Sequence, residues 1–444
     1  MPTIVSRENV RRLRGPARLS ECGSTRDPSG QQRQVAVRTF SGVLSRFAER
    51  DVRRSRHRAK LLSCAAIDPP GWHAARWLIG GVDINGTVSA ALRDFATIQR
   101  SIQSRWGYKR AAAAVRRLER PLPDLLDAGV LPRIHGIGPA STRIILEVLE
   151  HGFSPTVEQA IVDSGQQQEI ARRRALRTGF LSRAEVVRLL CLDVPDIVSV
   201  DDYRGDCQMH SVWSDGVETI EQLAQGAIAR GWDRIAITDH AKGLPIAGGM
   251  SIEAMRRQHA EIDDLNQRLG GRLRVLKGVE ANILADGSLD LRGDDLAGVE
   301  MLLAAPHSKL RVLDDQTDRL LAAVRTPGVH VLAHPRGRMS DSRPGIAADW
   351  DRVFEEAAAL GVAIEIDGDP ARQDLDYQLA DRAREAGCLF ALDSDAHDSE
   401  AFIYADTAIA HARLAGIPAA RVINCWELPR LLAWLEERRP FGSA

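Results

Sequence analysis

The sequence predicts an α/β protein in which a parallel barrel occupies the C-terminal half and a small all-α domain precedes it. Two observations support this fold class. From about residue 204, short β-rich runs alternate with amphipathic helices, whereas residues 82–165 show only helical periodicity. Strand–helix alternation is typical of a parallel sheet, and its persistence over about 240 residues favours a barrel.

The first 80 residues are rich in Arg, Ser and Gly and have weak periodicity. This composition is typical of a basic, partly disordered region, although residues 43–62 have the pattern of a basic helix. We therefore place the start of the folded chain near residue 82.

The interval 82–165 is predicted to be helical throughout. Val88, Leu92 and Phe95 recur near helical spacing, and residues 108–115 and 142–151 form two further helical runs. Residues 166–203, which contain the run RRRALR, are assigned to a basic linker.

Residues 204–440 are predicted to form the barrel. After a first strand near residue 205, the predicted strands are 234–238, 273–279, 301–305, 329–333, 362–366 and 389–392. The predicted helices include 220–230, 252–269, 316–324, 350–360, 375–386 and 401–415. Each helix has a length that allows it to return the chain to the start of the next strand.

Bulk composition excludes several classes of protein. The 444 residues have a formal net charge of −1, and the six cysteines include no C-x-x-C pair. This fits a reducing compartment and argues against a disulfide scaffold. No apolar run approaches the ~20 residues that cross a bilayer, and the N-terminus lacks the apolar segment of a signal peptide. We expect a cytoplasmic protein with no membrane partner.

Histidines and carboxylates stand where the predicted strands end. Because the C-terminal ends of parallel strands share one rim, residues up to about 190 positions apart are expected to converge there. The residues at these ends are Asp206, His210, Asp239, His240, Glu280, His307, His334, Glu365, Asp367, Asp395 and His397. A single histidine after a strand is ordinarily a core or surface group, but five at equivalent strand ends favour a shared site.

This mixture of side chains indicates metal-dependent chemistry. Imidazole and carboxylate ligands together suit Zn, Mn or Fe. Two or three such ions lower the pKa of a bridging water and neutralise phosphoryl oxygens. No Ser or Cys beside a histidine is a plausible nucleophile, so we expect a phosphate ester to be hydrolysed by a metal-activated hydroxide.

Seven segments, in order along the chain, resemble the motifs of the PHP (polymerase and histidinol phosphatase) family. They are GDCQMHSVWSDG, ITDH, GVEANILADGSLD, PHS, AHPRGR, EIDGDPARQDL and SDAH, and they extend from residue 204 to about residue 400. The resemblance implies a distorted (β/α)7 TIM-like barrel that holds two or three divalent metal ions. Mn, Zn or Fe are the expected ions, with Mg as a further candidate.

Carried over position by position, the resemblance assigns the metal ligands. These are His210, Asp215, His240, Glu280, His307, His334, Asp395 and His397, with Glu280 bridging two metals. Gln208 stands at a ligand position where many family members have His. An amide oxygen is a neutral, hard ligand and binds zinc less well than imidazole does. We therefore expect the metal at Gln208 to be held weakly and to be Mn²⁺ or Mg²⁺ rather than Zn²⁺.

The predicted catalytic set combines two carboxylates with three basic side chains. The carboxylates are Glu280 and Asp239, which ends the second strand. Lys242, Arg338 and Arg372 each follow a ligand motif directly and are candidates for binding the substrate phosphate.

The turn Gly136-Ile137-Gly138, with Arg143 soon after it, has the composition of a helix-hairpin-helix element. Two glycines allow the backbone to approach a phosphate, and the following helix offers free N–H groups, so such contacts with DNA do not depend on sequence. For the turn alone, an ordinary helical connection is the alternative. Residues 82–165 resemble the small N-terminal DNA-binding domain of bacterial family X DNA polymerases, which also carry a C-terminal PHP domain.

The polymerase palm of that family has no counterpart in this sequence. Only about 40 residues separate the hairpin region from the first barrel strand, which is far below the usual size of a domain. This interval contains no Asp-x-Asp pair that could hold nucleotide-bound Mg²⁺. We expect no polymerase activity, and template-directed nucleotide incorporation by the pure protein would contradict this.

Three functions remain open from the sequence. A metal-dependent phosphoesterase that acts on DNA ends, as a 3′-5′ exonuclease or end-processing enzyme of DNA repair, would use both halves of the chain. A small-molecule phosphatase of the histidinol-phosphate or nucleotide type would use only the barrel. A DNA-binding protein with an inactive metal site is the third and the least favoured, because eight of the nine ligand positions carry ligand residues.

Overall fold

Seven parallel strands follow one another in chain order around a single sheet. The structure is a computed structural model that describes residues 81–438, so the predictions for residues 1–80 lie outside the described residues. The strands are β1 Gly205–Asp206, β2 Arg234–Ile237, β3 Arg274–Asn282, β4 Met301–Ala305, β5 Val329–Leu332, β6 Ala363–Asp367 and β7 Leu389–Asp393. The predicted parallel α/β barrel is confirmed, and the strand ends agree with the predicted ranges to within three residues.

Successive residues along each strand face two different hydrophobic clusters, as the alternation of side chains across a strand requires. Ile235 and Val275 pack toward the surrounding helices. Ala236, Leu276 and Leu303 belong to a second cluster, which fills the inside of the barrel. Glu280 and Asn282 follow Leu276 on β3 by four and six residues, so they face the same side as Leu276, near the rim where the strands end.

The two edge strands are joined largely through side chains, because β1 is only two residues long. Cys207 N donates to Asp393 Oδ1 at 2.8 Å, and Ser394 N donates to Asp206 Oδ2 at 3.0 Å. Asn424 Nδ2 donates to Asp393 Oδ1 at 2.8 Å. Asp206, which the sequence places at a strand end, thus closes the barrel, and burial together with Asp393 raises the pKa of Asp206 well above its usual range.

Seven helices belong to the barrel half of the described chain. They are α8 Ile220–Ala229, α9 Ile252–Leu269, α10 Thr317–Val324, α11 Trp350–Leu360, α12 Tyr377–Glu385, α13 Ala405–Leu414 and α14 Leu428–Glu437. Side-chain caps fix where several of these helices begin, for example Thr219 before α8, Ser251 before α9 and Asp376 before α12.

The last helix closes one end of the barrel. Leu431 and Leu435 of α14 join the interior cluster, and His330, at the start of β5, lies 2.9 Å from the Leu435 carbonyl oxygen through its Nε2 atom. This is the end of the barrel at which the strands begin. Helix α14 therefore does not cover the opposite rim, where the strands end.

The upstream region is helical, as the sequence predicts. Its helices are α1 Ile84–Ile98, α2 Ile102–Arg117, α3 Leu122–Asp127, α4 Pro139–His151, α5 Pro155–Ser164, α6 Gln167–Leu176 and α7 Arg183–Leu190. Val88, Leu92, Ala112 and Ile144 form part of its separate core. The interval assigned to a basic linker therefore contains two helices, α6 and α7, because Ser182 caps α7 and Val186 and Leu189 are buried.

The helical layer and the barrel belong to one compact unit. The helical layer contacts the loops that follow β5 and β6. Arg116 Nη2 donates to Pro370 O at 3.2 Å, and Gln373 exchanges hydrogen bonds of 2.8 and 3.1 Å with the backbone of Leu181. These loops lie at the rim where the strands end, so the helical layer borders that rim. Within residues 81–438, no helix is long and apolar enough to cross a bilayer.

Candidate metal centre

Glu280 lies at the centre of a cluster of histidines at the C-terminal rim of the barrel. Its Oε1 atom is 2.8 Å from His334 Nε2 and 3.2 Å from His307 Nε2. Its Oε2 atom is 2.9 Å from His240 Nδ1 and 3.5 Å from His210 Nε2. These residues come from five different strand ends, and one fully buried carboxylate faces all four imidazoles.

Asp215 forms a second point of convergence nearer the solvent. Its Oδ1 atom is 3.5 Å from His240 Nε2 and 3.3 Å from His397 Nε2. His210, His240 and His397 offer ligand atoms that all lie within 4.8 Å of one another, and so do His240, Glu280 and His307. His240 belongs to both groups, so the two candidate sub-sites adjoin.

Asp395 contacts both the histidine cluster and a predicted phosphate-binding residue. Its Oδ1 atom is 3.0 Å from His210 Nε2, and its Oδ2 atom is 2.9 Å from Arg372 Nη1. Although burial opposes the shift, Arg372 and His210 hold the pKa of Asp395 well below its usual range. The carboxylate is therefore charged at neutral pH and available to a cation.

Hydrogen bonds from behind the cluster orient two of the imidazoles. His307 Nδ1 lies 2.7 Å from Asn282 Oδ1, and Asn282 in turn donates to Asp290 Oδ2 at 2.6 Å. His397 Nδ1 lies 2.9 Å from the Asp395 carbonyl oxygen. Since each acceptor requires a proton on Nδ1, the Nε2 atom of each ring is the one left for a metal, as in metal-binding histidines.

The donor set fits divalent metal ions. Among the described side chains, His210 Nδ1, His307 Nε2, Glu280 Oε2 and Asp395 Oδ2 are buried and have no hydrogen-bond partner. Buried polar atoms are ordinarily satisfied, so unsatisfied nitrogen and oxygen atoms on residues of one cluster fit a cation-binding site. Imidazole nitrogens and carboxylate oxygens in this proportion suit Zn, Mn or Fe.

The electrostatics of the cluster also favour positive charge. Burial lowers the pKa of His240 and His397, but neighbouring carboxylates outweigh it. Glu280 and Asp215 raise the pKa of His240 to about 10, and Asp215 and Asp395 raise the pKa of His397 to about 9. In the absence of metal the cluster therefore retains protons, and a divalent cation that binds there displaces them.

Two of the proposed ligands have a backbone conformation that side chains rarely adopt. His334 has φ +26° and Asp395 has φ +50°. Such conformations cost of order 1–3 kcal/mol and persist where neighbouring groups enforce them. For His334, the enforcing contact is Glu365, whose Oε2 atom accepts a 2.5 Å hydrogen bond from the His334 backbone N–H.

Gln208 is fully buried and lies against the same carboxyl group. In the orientation that satisfies both groups, its amide nitrogen donates to both Glu365 oxygens, with Nε2 at 3.0 Å from Oε2. Burial and Asp393 raise the pKa of Glu365 well above its usual range. Gln208 therefore lies beside the histidine cluster, and its amide nitrogen is hydrogen-bonded to Glu365.

Asp239 has a different position from the one expected of a catalytic carboxylate. It is fully buried, and its oxygens accept hydrogen bonds from Ser211 N at 2.8 Å, from Ser211 Oγ at 2.6 Å and from Ser214 Oγ and Gln258 Nε2. A carboxylate with four donors has no free lone pair for substrate. It holds the loop that carries Asp215, so we assign Asp239 a positioning role.

Only one of the three predicted phosphate-binding residues lies at the histidine cluster. Arg372 lies at the cluster, in contact with Asp395. Lys242 is exposed and pairs with Asp295 at 3.3 Å. Arg338 is directed away from the cluster and into the helical layer. Its Nη1 atom donates to Asp376 at 2.7 Å and to Thr178 O at 3.1 Å, and its guanidinium lies 3.9 Å from the centre of the Phe180 ring. The direction of the Arg338 side chain could not be predicted from the sequence, because Thr178 and Phe180 are distant from Arg338 along the chain.

The sequence also missed Asn282 and Glu365 as supporting residues. Asn282 stands two positions after Glu280 on β3, and residues two apart on a strand face the same side. That spacing was a usable signal for Asn282. Glu365 was recognised only as a residue at a strand end, and its partners Gln208 and His334 become visible only in the folded chain.

The hairpin residues lie in the helical layer, as predicted. Gly136 has φ +92°, and Gly138 directly precedes α4 in an extended conformation. Both line an open cleft of about 640 Å³, together with Tyr108 and Arg110 of α2. Ile137 is buried in the helical core, and Arg143 lies on α4 with its guanidinium 3.9 Å from Glu147.

A parallel barrel with a histidine–carboxylate cluster at its C-terminal rim defines a class of metallohydrolase fold. Residues 206–366 match the family model described as PHP domain. The chain carries a PHP domain, as the sequence predicts.

Two curated relatives represent the two kinds of protein that the chain is similar to. A Bacillus subtilis (strain 168) protein named DNA polymerase/3′-5′ exonuclease PolX is 34% identical over 245 residues, which cover 55% of this chain and 43% of that protein. A protein of Citrobacter koseri named Probable phosphatase is 29% identical over 257 residues, which cover 53% of this chain and 95% of that protein. The chain thus spans less than half the length of the first relative and nearly all of the second.

Among solved structures, one similar chain is a histidinol phosphate phosphatase from Lactococcus lactis, complexed with zinc, L-histidinol and phosphate. It is 17% identical, with a TM-score of 0.36 over 47% of this chain and 94% of that chain. The PHP match and the curated relatives support the predicted class, a metal-dependent phosphoric ester hydrolase.

Proposed function

We propose that this protein is a metal-dependent phosphoesterase that hydrolyses phosphodiester or phosphomonoester bonds at DNA ends, as a 3′-5′ exonuclease or 3′-end-processing enzyme. The observation that carries the catalytic part is the convergence of Glu280 with four histidines within 3.5 Å. The ligands would be His210, Asp215, His240, Glu280, His307, His334, Asp395 and His397.

Divalent metals bound there lower the pKa of water and neutralise the charge that develops on a phosphoryl group. The chain's own residues supply the geometry. Glu280 faces both candidate sub-sites, Asn282 and the Asp395 carbonyl fix imidazole tautomers, and Arg372 offers a guanidinium beside Asp395 for a phosphate oxygen.

The arrangement of the two halves supports DNA as the substrate. The helical layer, which carries the Gly136–Gly138 turn, borders the barrel rim through Arg116 and Gln373. A strand bound at the hairpin would therefore be held by the same compact unit that presents the metal centre. The Bacillus subtilis relative named as a 3′-5′ exonuclease adds support, while polymerase activity remains excluded from the proposal because α6 and α7 occupy the interval before the barrel.

A small-molecule phosphatase of the histidinol-phosphate or nucleotide type is the alternative. Relatives named Probable phosphatase favour it, since this chain spans 90% and 95% of two of them and their matches need only the barrel half. The two proposals differ in whether the helical layer contributes to substrate binding.

The deciding assay supplies Mn²⁺ and three substrates: a 5′-labelled single-stranded oligonucleotide with a 3′ hydroxyl, the same oligonucleotide with a 3′ phosphate, and histidinol phosphate. We expect shortening of the first or loss of phosphate from the second. Phosphate release from histidinol phosphate with both oligonucleotides intact would contradict the DNA proposal and support the alternative.

The metal assignment has its own test. His334→Ala removes an imidazole that contacts Glu280 at 2.8 Å, and we expect hydrolysis of every substrate to fall by at least about a hundredfold. The matched control is His151→Ala, which removes a partly exposed imidazole from the helical layer and should leave activity unchanged. Normal hydrolysis by His334→Ala would show that the ligand assignment is wrong.

A further inference from the structure

A small pocket lies where the helical layer meets the barrel rim. We call it the seam pocket. Its volume is about 40 Å³, and its lining includes Arg93, Arg116, Arg177, Ser182 and Asp341. One water occupies about 10–15 Å³ of such a pocket, so there is room for about three waters or for one tetrahedral oxyanion.

Three guanidinium groups reach this pocket from three separate segments, whereas one carboxylate lines it. Arg93 is on α1, Arg116 is near the end of α2, and Arg177 directly follows α6. Asp341, from the loop after β5, is 3.3 Å from Arg93 and 3.3 Å from Arg177. The charged groups that line the pocket are therefore three guanidinium groups and one carboxylate.

The nearby carboxylates behind the lining are already occupied. Asp94 accepts hydrogen bonds from Arg177 and from Arg174. Asp83 accepts from Gly86 N at 2.7 Å, from Ser182 N at 2.7 Å and from Ser182 Oγ at 2.6 Å. Asp94 offsets the charge of Arg177, but neither Asp94 nor Asp83 lines the pocket, so Asp341 is the one carboxylate among the lining residues.

Arg116 is the least satisfied of the three arginines. Its hydrogen bonds, 3.5 Å to Ser340 Oγ and 3.2 Å to Pro370 O, are long and go to neutral acceptors. Within the described part of the chain it forms no ion pair, although burial and the nearby Arg93 lower its pKa. Arg116 is partly exposed, and a guanidinium without an ion pair is well suited to a phosphate oxygen.

We propose that the seam pocket binds a tetrahedral oxyanion, a phosphate group, between Arg93, Arg116 and Arg177. The bound anion joins α1, α2 and the segment after α6, which all belong to the helical layer, where that layer borders the barrel rim. The phosphate has two possible sources: free inorganic phosphate or a phosphodiester group of a nucleic acid strand. This proposal does not rest on the proposed function, because it concerns residues outside the metal centre.

The test is isothermal titration of the metal-loaded protein with inorganic phosphate at constant ionic strength. The variants are Arg116→Gln and Arg93→Gln, and among residues 81–438 the latter removes only the 3.3 Å contact with Asp341. The matched control is Arg325→Gln, which removes the same charge from an exposed ion pair with Glu356. We expect one phosphate-binding step to weaken about tenfold or more in both test variants and to persist in the control.

A second measurement separates this pocket from phosphate bound at the metal centre. Phosphate should slow hydrogen exchange in residues 84–98 and 177–182 of the wild type, and this protection should vanish in Arg93→Gln. An unphosphorylated oligonucleotide that gives the same protection identifies a phosphodiester as the source, whereas protection by inorganic phosphate alone identifies the free ion. Equal phosphate binding by the wild type, Arg93→Gln and Arg116→Gln would overturn the proposal.

Discussion

Gln208 stands at the position where the resemblance to the PHP family leads us to expect a histidine ligand. Its amide donates to Glu365, and Glu365 also accepts the backbone N–H of His334. One carboxyl group therefore connects the amide to the strained backbone of a proposed ligand. An amide that uses its nitrogen in this way has only its oxygen left for a metal, and an oxygen binds zinc less well than imidazole does.

Gln208→His should increase zinc binding. An imidazole at this position can donate one N–H to Glu365 and offer its other nitrogen to a metal, the arrangement in which a carboxylate orients a metal-binding histidine. We expect more zinc per protein molecule, measured by elemental analysis after equilibration with equal Zn²⁺ and Mn²⁺. Unchanged zinc content would show that position 208 does not contribute a ligand.

At the scale of elements, helix α4 has a glycine at each end, and the two glycines differ in whether the backbone requires them. Gly152, at the end of α4, has φ +78° and is required by the backbone. Gly138, at the start of the same helix, has φ −110°, and a Cβ atom added there would meet no atom within 4 Å. Neither backbone conformation nor packing within the described chain requires glycine at position 138. The close approach of an external phosphate would explain why a glycine stands there.

Gly138→Ala should weaken DNA binding without destabilising the protein. The added methyl group would hold a phosphate away from the N–H groups at the start of α4, and losing a charge-assisted hydrogen bond weakens binding about tenfold. Fluorescence anisotropy with a labelled oligonucleotide measures the affinity. The control, Gly152→Ala, should lower the free energy of unfolding by about 1 kcal/mol and leave DNA affinity unchanged. Identical DNA affinity in Gly138→Ala and the wild type would argue against the hairpin as a DNA contact.

At the scale of the whole molecule, a buried histidine takes part in joining the two halves. His411 Nδ1 accepts a hydrogen bond from Tyr377 N, so its Nε2 atom carries the proton and donates to Gln373 Oε1 at 2.9 Å. The same Gln373 oxygen accepts the Leu181 backbone N–H. Burial, followed by the charge of Arg338, lowers the pKa of His411 to about 3.

This histidine should make the protein less stable in acid. Its pKa is about 3 in the folded state and 6.5 as an ordinary group, so only the unfolded state takes up the proton between these values. The contribution to stability is complete above pH 6.5 and is lost as the pH falls toward 3, by at most about 1.4 kcal/mol per pH unit. His411→Gln should show a shallower decline in the free energy of unfolding between pH 6.5 and 4.5, measured by denaturant titration. Equal slopes for both proteins would contradict this.

Most of the barrel could be predicted from the sequence because its signals are local. Period-2 and period-3.6 patterns identified β2–β7 and the helices between them to within a few residues. The convergence at the rim followed as well, since parallel strands necessarily bring their ends together. His210, His240, Glu280, His307 and His334 therefore meet as the order of their strands requires.

The sequence by itself determined the fold class, the rim on which the site lies and the residues that face one another there. Only the tertiary structure decided the partner of each polar group. It turned Arg338 toward Thr178, surrounded Asp239 with donors, placed Gln208 on Glu365 and brought Arg93, Arg116 and Arg177 to one pocket. The physical reason is that strand and helix patterns depend on neighbours in the chain, whereas the pairing of buried charges depends on packing between segments that are distant in sequence.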